Sequence, residues 1–174
     1  SRRQRQMCIR DRLRENSLRV KTYLLFKPPF MSEGDALEHT SKWVMEVSKI
    51  SDEVSINPMN IQKGTIVDRL FRNREYRPPW LWSLVEMIFR THADISNTDC
   101  RVIVHPTAGG KTRGSHNCGS CDSEVVAAIE RYSVSGDLRE FTGLECDCKK
   151  AWHSEIQSDA TLPAPMGAGI HRRG

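Results

Sequence analysis

The sequence lacks the features that mark membrane-spanning and secreted proteins. None of its apolar runs approaches the roughly 20 residues that a helix needs to cross a bilayer, and its arginine-rich N-terminus has no apolar signal-peptide core. The 174 residues are 38% hydrophobic and 28% charged, a composition typical of soluble globular proteins. We therefore expect a cytoplasmic protein without a membrane partner.

Motifs of hydrolytic enzymes are also missing. The sequence holds no Ser-His-Asp set, no H-E-x-x-H motif and no pair of carboxylates at a marked spacing. The glycine-rich stretch 109–115 lacks the order G-x-x-x-x-G-K-[ST], which argues against a nucleotide hydrolase. Lys111 and Arg113 in this stretch are candidate contacts to RNA phosphates. A net charge of +4 is compatible with an anionic partner but does not require one.

Cysteine, in contrast, is arranged in a pattern that indicates a metal site. Cys118 and Cys121 form a C-x-x-C step, and Cys146 and Cys148 form a second short pair. Two such knuckles can bring four thiolates to one point, which suits a structural zinc ion. The alternatives are two disulfides, four unrelated buried thiols, an iron–sulfur cluster, or a zinc site in which His116 replaces one cysteine. A site filled by four protein ligands would support folding or recognition rather than activate water.

The order of predicted elements is typical of parallel α/β proteins. Apolar runs over 20–26 and 53–57 predict two strands, and helical spacing after the N-cap candidate Ser32 fills the interval. This βαβ unit makes the two strands parallel. The first run is nearly continuous, so we expect a strand that is covered on both faces. The later elements are helices from Thr65 and after prolines 78–79, a strand over 100–105, and a helix capped by Asp122 or Ser123.

Polar residues follow both predicted strands at their carboxyl ends, where parallel α/β proteins gather ligands. Lys27 follows the first strand, and Asn57, Asn60 and Gln62 end or follow the second. Amides offer donors and acceptors for ribose, adenine or amino-acid groups, and an ammonium can meet a carboxylate or phosphate. The alternative is that these residues only shape turns.

The two ends of the chain have little material for a core. Residues 1–17 are rich in arginine, which indicates a disordered arm or an artefact of translated sequencing-adapter DNA. Residues 158–174 are rich in proline, glycine and alanine, so we expect a disordered tail.

Several longer motifs resemble one enzyme family. The stretches 23–33 and 55–65 resemble the final two strands of a radical S-adenosylmethionine (radical SAM) barrel. The motifs at 77–83, 114–122 and 146–149 resemble the C-terminal half of the archaeosine-forming radical SAM family, RaSEA. The resemblance implies an α/β fold: the C-terminal part of a partial (βα) radical SAM barrel over 18–98, then a small α+β four-cysteine metal-binding module over 99–157.

The same resemblance implies an activity. Members of the family are lyases that form archaeosine from a lysine-modified deazaguanine in transfer RNA, using S-adenosyl-L-methionine (SAM) and a 4Fe-4S cluster. It implies that Asn57, Asn60, Gln62 and Lys27 lie near SAM or substrate, that zinc occupies the four-cysteine site, and that the partners are tRNA and another tRNA-modifying subunit.

One motif of the family is absent. The C-x-x-x-C-x-x-C triad that holds the 4Fe-4S cluster does not occur in this sequence, and Cys8 and Cys100 cannot replace it. We therefore expect the C-terminal part of a longer enzyme, inactive alone. The alternative is a stand-alone zinc-binding module that binds RNA or acts as an adaptor.

Overall fold

Strands and helices alternate along the part of the chain that the structure describes. This computed structural model describes residues 12–13 and 15–161. The elements follow one another as β1 (Lys21–Phe26), α1 (Glu33–Ser48), β2 (Glu53–Pro58), α2 (Ile66–Arg72), α3 (Leu81–Ile95), β3 (Arg101–Val104), α4 (Asp122–Ser135), a 3-10 helix (Leu138–Phe141) and α5 (Cys148–Thr161). The alternation confirms the predicted α/β class.

The strands of the described residues form one small parallel sheet in the order β1-β2-β3. Lys21 is in register with Glu53, and Glu53 is in register with Arg101. Helix α1 connects β1 to β2, which confirms the predicted βαβ unit. Strand β3, which we assigned to the cysteine module, pairs with β2 and so joins the cysteine-bearing segment to the sheet. Three strands do not form a barrel, and the radical SAM barrel stays a prediction.

Strand β1 differs from the prediction in its burial. We expected it to be covered on both faces, but its side chains alternate between exposed and covered positions. Tyr23 is 65% exposed and Leu25 is 51% exposed, whereas Phe26 is fully buried. The expectation was wrong for the described chain, in which β1 is covered on one face while the face that carries Tyr23 and Leu25 is largely exposed.

Helix α3 supplies much of the core. Leu81, Leu84, Met87 and Ile88 on this helix are at most 1% exposed, and α3 packs against α1, α4 and β3. Burial of each side chain of this size stabilises the fold by roughly 1.5–3 kcal/mol. One apolar cluster includes α3, the sheet and side chains of α4 and α5, so the cysteine-bearing segment shares the core of the sheet.

Two predicted helix starts are confirmed, and one differs. Ser32 Oγ accepts a hydrogen bond from the Asp35 N–H, and Thr65 Oγ1 accepts one from the Asp68 N–H. The residue before α4 is Cys121, which makes no side-chain cap. We predicted a cap by Asp122 or Ser123, but the Asp122 carboxylate instead accepts hydrogen bonds from backbone N–H groups of the loop before the helix.

The predicted arm and tail lie mostly outside the described residues. Residues 1–11, 14 and 162–174 are not described, and the described part of the arm makes a short helical turn. Helix α5 ends at Thr161 and so extends past residue 158, where we expected the tail to begin. Within the described residues, no helix is both long enough and apolar enough to span a membrane.

Candidate metal centre

The structure brings the four predicted cysteines together. Cys118 and Cys121 lie in the loop before α4, Cys146 precedes α5, and Cys148 is its first residue. The Sγ atoms of Cys118 and Cys146 are 3.7 Å apart, as are those of Cys121 and Cys148. The two sulfurs of the C-x-x-C step are 4.0 Å apart, and all four lie within 4.8 Å of one another.

These distances fit one shared ion. A tetrahedral zinc ion with zinc–sulfur bonds of about 2.3 Å holds its sulfurs about 3.8 Å apart. A disulfide would bring two sulfurs to about 2.05 Å, so the disulfide alternative does not match these free thiols. A 4Fe-4S cluster binds each thiolate to a different iron and therefore spreads the sulfurs farther apart. The donor set and its spacing favour a single tetrahedral ion.

The first knuckle is shaped by one carboxylate and one glycine. Asp122 Oδ1 accepts the N–H groups of Asn117 and Gly119 at 3.0 and 3.1 Å. Gly119 has a φ of 94°, which residues with a side chain rarely adopt. The two bonds fold the loop so that Cys118 and Cys121 face the same point.

Side-chain donors outside the cysteine pairs contact two of the sulfurs. Trp82 Nε1 donates to Cys148 Sγ at 3.2 Å, and Asn117 Nδ2 donates to Cys121 Sγ at 3.4 Å. Groups in this position orient metal ligands and stabilise their thiolate form. Neither residue was predicted as part of the metal site, although Asn117 stands beside Cys118.

The four thiols differ in acidity. The backbone N–H groups of Ser120 and Cys121 lower the pKa of Cys118 to about 6. Burial raises the pKa of Cys121, and it raises the pKa of Cys148 to about 12. Because a metal ion binds thiolates, the lowered pKa of Cys118 favours binding at neutral pH, whereas Cys121 and Cys148 must release their protons when the ion binds.

His116 is not among the ligands that the structure groups together. Within the described residues, the one group of potential metal ligands contains the four cysteines alone. The His116 ring instead contacts the carbonyl oxygen of Gly114 through Nδ1 at 2.8 Å.

The two predicted RNA contacts have different environments. Lys111 is exposed. Arg113 Nη2 donates to Asp68 Oδ1 at 2.6 Å, and its Nε donates to the Ile61 carbonyl at 3.1 Å. Arg113 therefore links the loop before the metal site to the β2–α2 connection, while 35% of its side chain remains exposed.

The predicted SAM-contacting residues lie at the carboxyl ends of β1 and β2. Lys27 Nζ is 2.5 Å from Glu33 Oε2, and both side chains are buried. The ammonium is thus balanced by an internal carboxylate, that of Glu33 in the same loop region. Asn57 Nδ2 donates to the Ser55 carbonyl within β2, and Gln62 Nε2 donates to Asn60 Oδ1 in the loop that follows, so these amides contact their own segments.

A cavity of about 530 Å³ opens beside Lys27. Aromatic, cationic and acidic side chains line it, including Phe30, Tyr76, Arg74 and Glu155. The Glu155 side chain, from α5, accepts a hydrogen bond from the indole of Trp80 at 2.7 Å. Glu155 was not predicted as part of any site, because it lies far along the chain from the other residues of this wall.

Two known proteins that share one name are similar to this chain. Archaeosine synthase subunit beta of Methanosarcina acetivorans is 34% identical over 148 residues, which are 84% of this chain and 42% of that protein. The protein of the same name from Thermococcus kodakarensis is 38% identical over 141 residues, 80% of this chain and 43% of that protein. The chain is similar to archaeosine synthase subunit beta. These relatives support the predicted relationship to an archaeosine-related family.

A third similar protein has a name that gives no function. An uncharacterized protein of Methanocaldococcus jannaschii is 27% identical over 151 residues, 85% of this chain and 40% of that protein. The chain therefore spans about two fifths of the length of the curated relatives that it matches. No protein-family model matches the chain, and no solved structure matches it.

Proposed function

We propose that this chain is the C-terminal part of a radical SAM lyase that forms archaeosine in transfer RNA from a lysine-modified deazaguanine. The observation that carries the proposal is the similarity to two proteins named archaeosine synthase subunit beta, over at least 80% of this chain. That name contains the word subunit, which supports a partner subunit. The radical SAM chemistry and the lysine-modified substrate rest on the family resemblance of the motifs at 23–33, 55–65, 77–83, 114–122 and 146–149.

The open edge of the sheet supports a longer enzyme. Tyr23 and Leu25 on β1 are exposed, and β1 is paired on one side only in the described residues. An apolar edge strand of a parallel sheet is normally covered by another strand or helix. We infer that a preceding part of a βα barrel covers it, with Lys27 and Asn57 facing the shared end of the strands.

The chain does not itself fit the 4Fe-4S cluster of radical SAM enzymes. It lacks the C-x-x-x-C-x-x-C triad, and its four grouped cysteines lie too close together for such a cluster. The rest of the longer enzyme would supply the cluster ligands. We therefore expect this chain to be catalytically inactive alone and to contribute to SAM and substrate binding.

We further propose that zinc occupies the four-cysteine site and holds α4 and α5 to the sheet. Metal analysis of the purified chain should then give one zinc per chain. Cys118→Ser and Cys146→Ser should each lose the ion, because a closed site needs all four thiolates. Cys100→Ala is the matched control, since Cys100 is a free cysteine outside the group. Retention of zinc by both site variants would exclude these ligands.

The enzyme proposal is tested on the longest protein that the gene encodes. That protein, purified anaerobically with its partner subunit, is given SAM, a reductant and tRNA that carries the lysine-modified base. We expect archaeosine in the digested nucleosides and no product when SAM is omitted. If tRNA is bound but no archaeosine forms with an intact cluster, the adaptor function replaces the lyase.

A further inference from the structure

Positive charge is concentrated in two connected segments of the chain. Residues 60–77 and 107–116 together contain seven lysines and arginines and two acidic residues, a net charge of +5. The other residues that the structure describes contain twelve lysines and arginines and nineteen aspartates and glutamates, a net charge of −7. The small net charge of the whole sequence therefore does not show that this region is strongly basic while the other described residues are acidic on balance.

The two segments form one surface. The Ile61 N–H donates to the Arg113 carbonyl at 2.8 Å, and Arg113 Nε donates back to the Ile61 carbonyl at 3.1 Å. Arg113 and Arg72 both contact the Asp68 carboxylate. The loop after β3 is thus fixed against the loop and helix that follow β2. We call residues 60–77 and 107–116 the basic surface.

The acidic residues of the basic surface do little to offset its charge. Asp68 is 2% exposed, and its oxygens accept bonds from Arg113, Arg72 and the Gly64 N–H. Glu75 is therefore its single solvent-exposed acid. Four further cations are exposed and have no acidic partner among the described residues: Lys63, Arg69, Arg74 and Lys111.

An unusual aromatic residue lies at one end of this surface. Phe30 is 84% exposed and has a φ of 68°, a conformation that is strained for a bulky side chain. Arg74, with a φ of 62°, lines the same cavity at the carboxyl end of β1. Strained residues persist where surrounding structure holds them, and they cluster at ligand sites. An exposed ring beside free cations is suited to stack on an unpaired base.

We propose that the basic surface binds RNA, with phosphates on Lys63, Arg69, Arg74 and Lys111 and one unpaired base on Phe30. RNA is favoured because a phosphate backbone matches a run of unpaired cations and a nucleobase matches the exposed ring. The inference rests on the proposed function for the choice of tRNA as the partner. It goes beyond that function by locating the contact on α2 and the adjoining loops, rather than on the metal knuckles.

The test measures binding of an unmodified tRNA transcript to the zinc-loaded chain by fluorescence anisotropy at several salt concentrations. The surface variant combines Lys63→Gln, Arg69→Gln, Arg74→Gln and Lys111→Gln. The control variant removes the same charge elsewhere through Lys42→Gln, Arg90→Gln, Arg131→Gln and Lys150→Gln. Zinc content and circular dichroism establish that both variants are folded.

We expect the surface variant to bind at least tenfold more weakly, with a salt slope reduced by about three, since each lost phosphate contact removes about 0.7–0.9 from the slope. The control variant should stay within about twofold of the parent, because the charges that it loses make no phosphate contact. Phe30→Ala should weaken binding by roughly fivefold or more without changing the slope, because stacking carries no charge. Equal losses in the surface and control variants, or no loss in either, would overturn the proposal.

Failure of this inference can be distinguished from failure of the proposed function. Archaeosine formation by the longer enzyme, with tRNA affinity unaffected by the surface variant, would reject this surface alone. Surface-dependent binding without archaeosine formation would reject the lyase and leave the surface in place.

Discussion

The indole Nε1 of Trp82 donates a hydrogen bond to Sγ of Cys148 across 3.2 Å. Trp82 stands in the first turn of α3 and is 2% exposed, whereas Cys148 begins α5. The ammonium of Lys149 lies 4.6 Å from the centroid of the same indole ring. One buried ring thus connects the α/β core to the second cysteine pair, so the metal site is packed into the fold.

Trp82→Phe should weaken metal binding. The variant keeps an aromatic ring in the core but removes the N–H that contacts the Cys148 sulfur. Loss of such an outer contact typically reduces metal affinity by about 10–100-fold. Competition with a chromophoric chelator measures the effect. Trp43→Phe is the control, because Trp43 is exposed and its indole N–H contacts His39 on its own helix. Equal affinities of Trp82→Phe and the parent would contradict this role.

Lys27→Met should destabilise the fold. It leaves the carboxylate of Glu33 buried without its cation, although Glu33 Oε1 still accepts the Trp80 N–H at 2.9 Å. Breaking a buried pair in this way costs about 3–5 kcal/mol. Urea denaturation of the zinc-loaded chain measures the free energy of unfolding.

A matched control for that variant lies at the start of β1, the strand that Lys27 follows. Lys21 pairs with Glu53 at 2.6 Å in a more exposed position. Lys21→Met should change the free energy of unfolding much less, because solvent screens the lost interaction. Similar effects of the two substitutions on the free energy of unfolding would show that burial does not increase the contribution of the Lys27–Glu33 pair to stability.

The Asp68 carboxylate should make stability depend on acidic pH. Arg113, the Gly64 N–H and Arg72 hold the pKa of Asp68 well below its usual value. Because the pKa is lower in the folded state, the stabilisation is complete above the unfolded value of about 3.9 and declines as the pH falls below it. Asp68→Asn should be less stable than the parent at pH 7.

The pH dependence is checked by the difference in unfolding free energy between the parent and Asp68→Asn. Metal loss in acid affects both proteins, so the difference isolates the carboxylate. It should be constant from about pH 5 to 7 and shrink below about pH 4. A difference that does not change with pH would show that the three donors do not bind the ionised carboxylate.

The sequence was sufficient for features that depend on nearby residues. The cap at Ser32 depends on a donor three residues later, and it was predicted; the helix start at Thr65, which makes a cap of the same kind, was predicted as well. The parallel pairing of β1 and β2 follows from a single crossover helix. The two cysteine pairs have short spacings that restrict their geometry, so the metal site could be predicted without any contact information.

Features that depend on distant residues could not be predicted. The Arg113–Asp68 pair joins positions 45 residues apart, and Trp82 and Cys148 are 66 residues apart. Asp122 was a reasonable helix cap, but its carboxylate folds the first knuckle instead. The exposure of Tyr23 and Leu25 on β1 depends on which elements cover each face of the sheet, and the apolar pattern of the strand does not reveal that.

X-ray absorption at the metal edge tests the central claim most directly, namely that the four thiolates hold one ion. The sample is the chain purified anaerobically with the metal it acquires during expression. We predict a zinc edge with four sulfur neighbours at about 2.3 Å and no second metal nearby. A short metal–metal distance, an iron edge, or nitrogen and oxygen neighbours in place of sulfur would contradict the account.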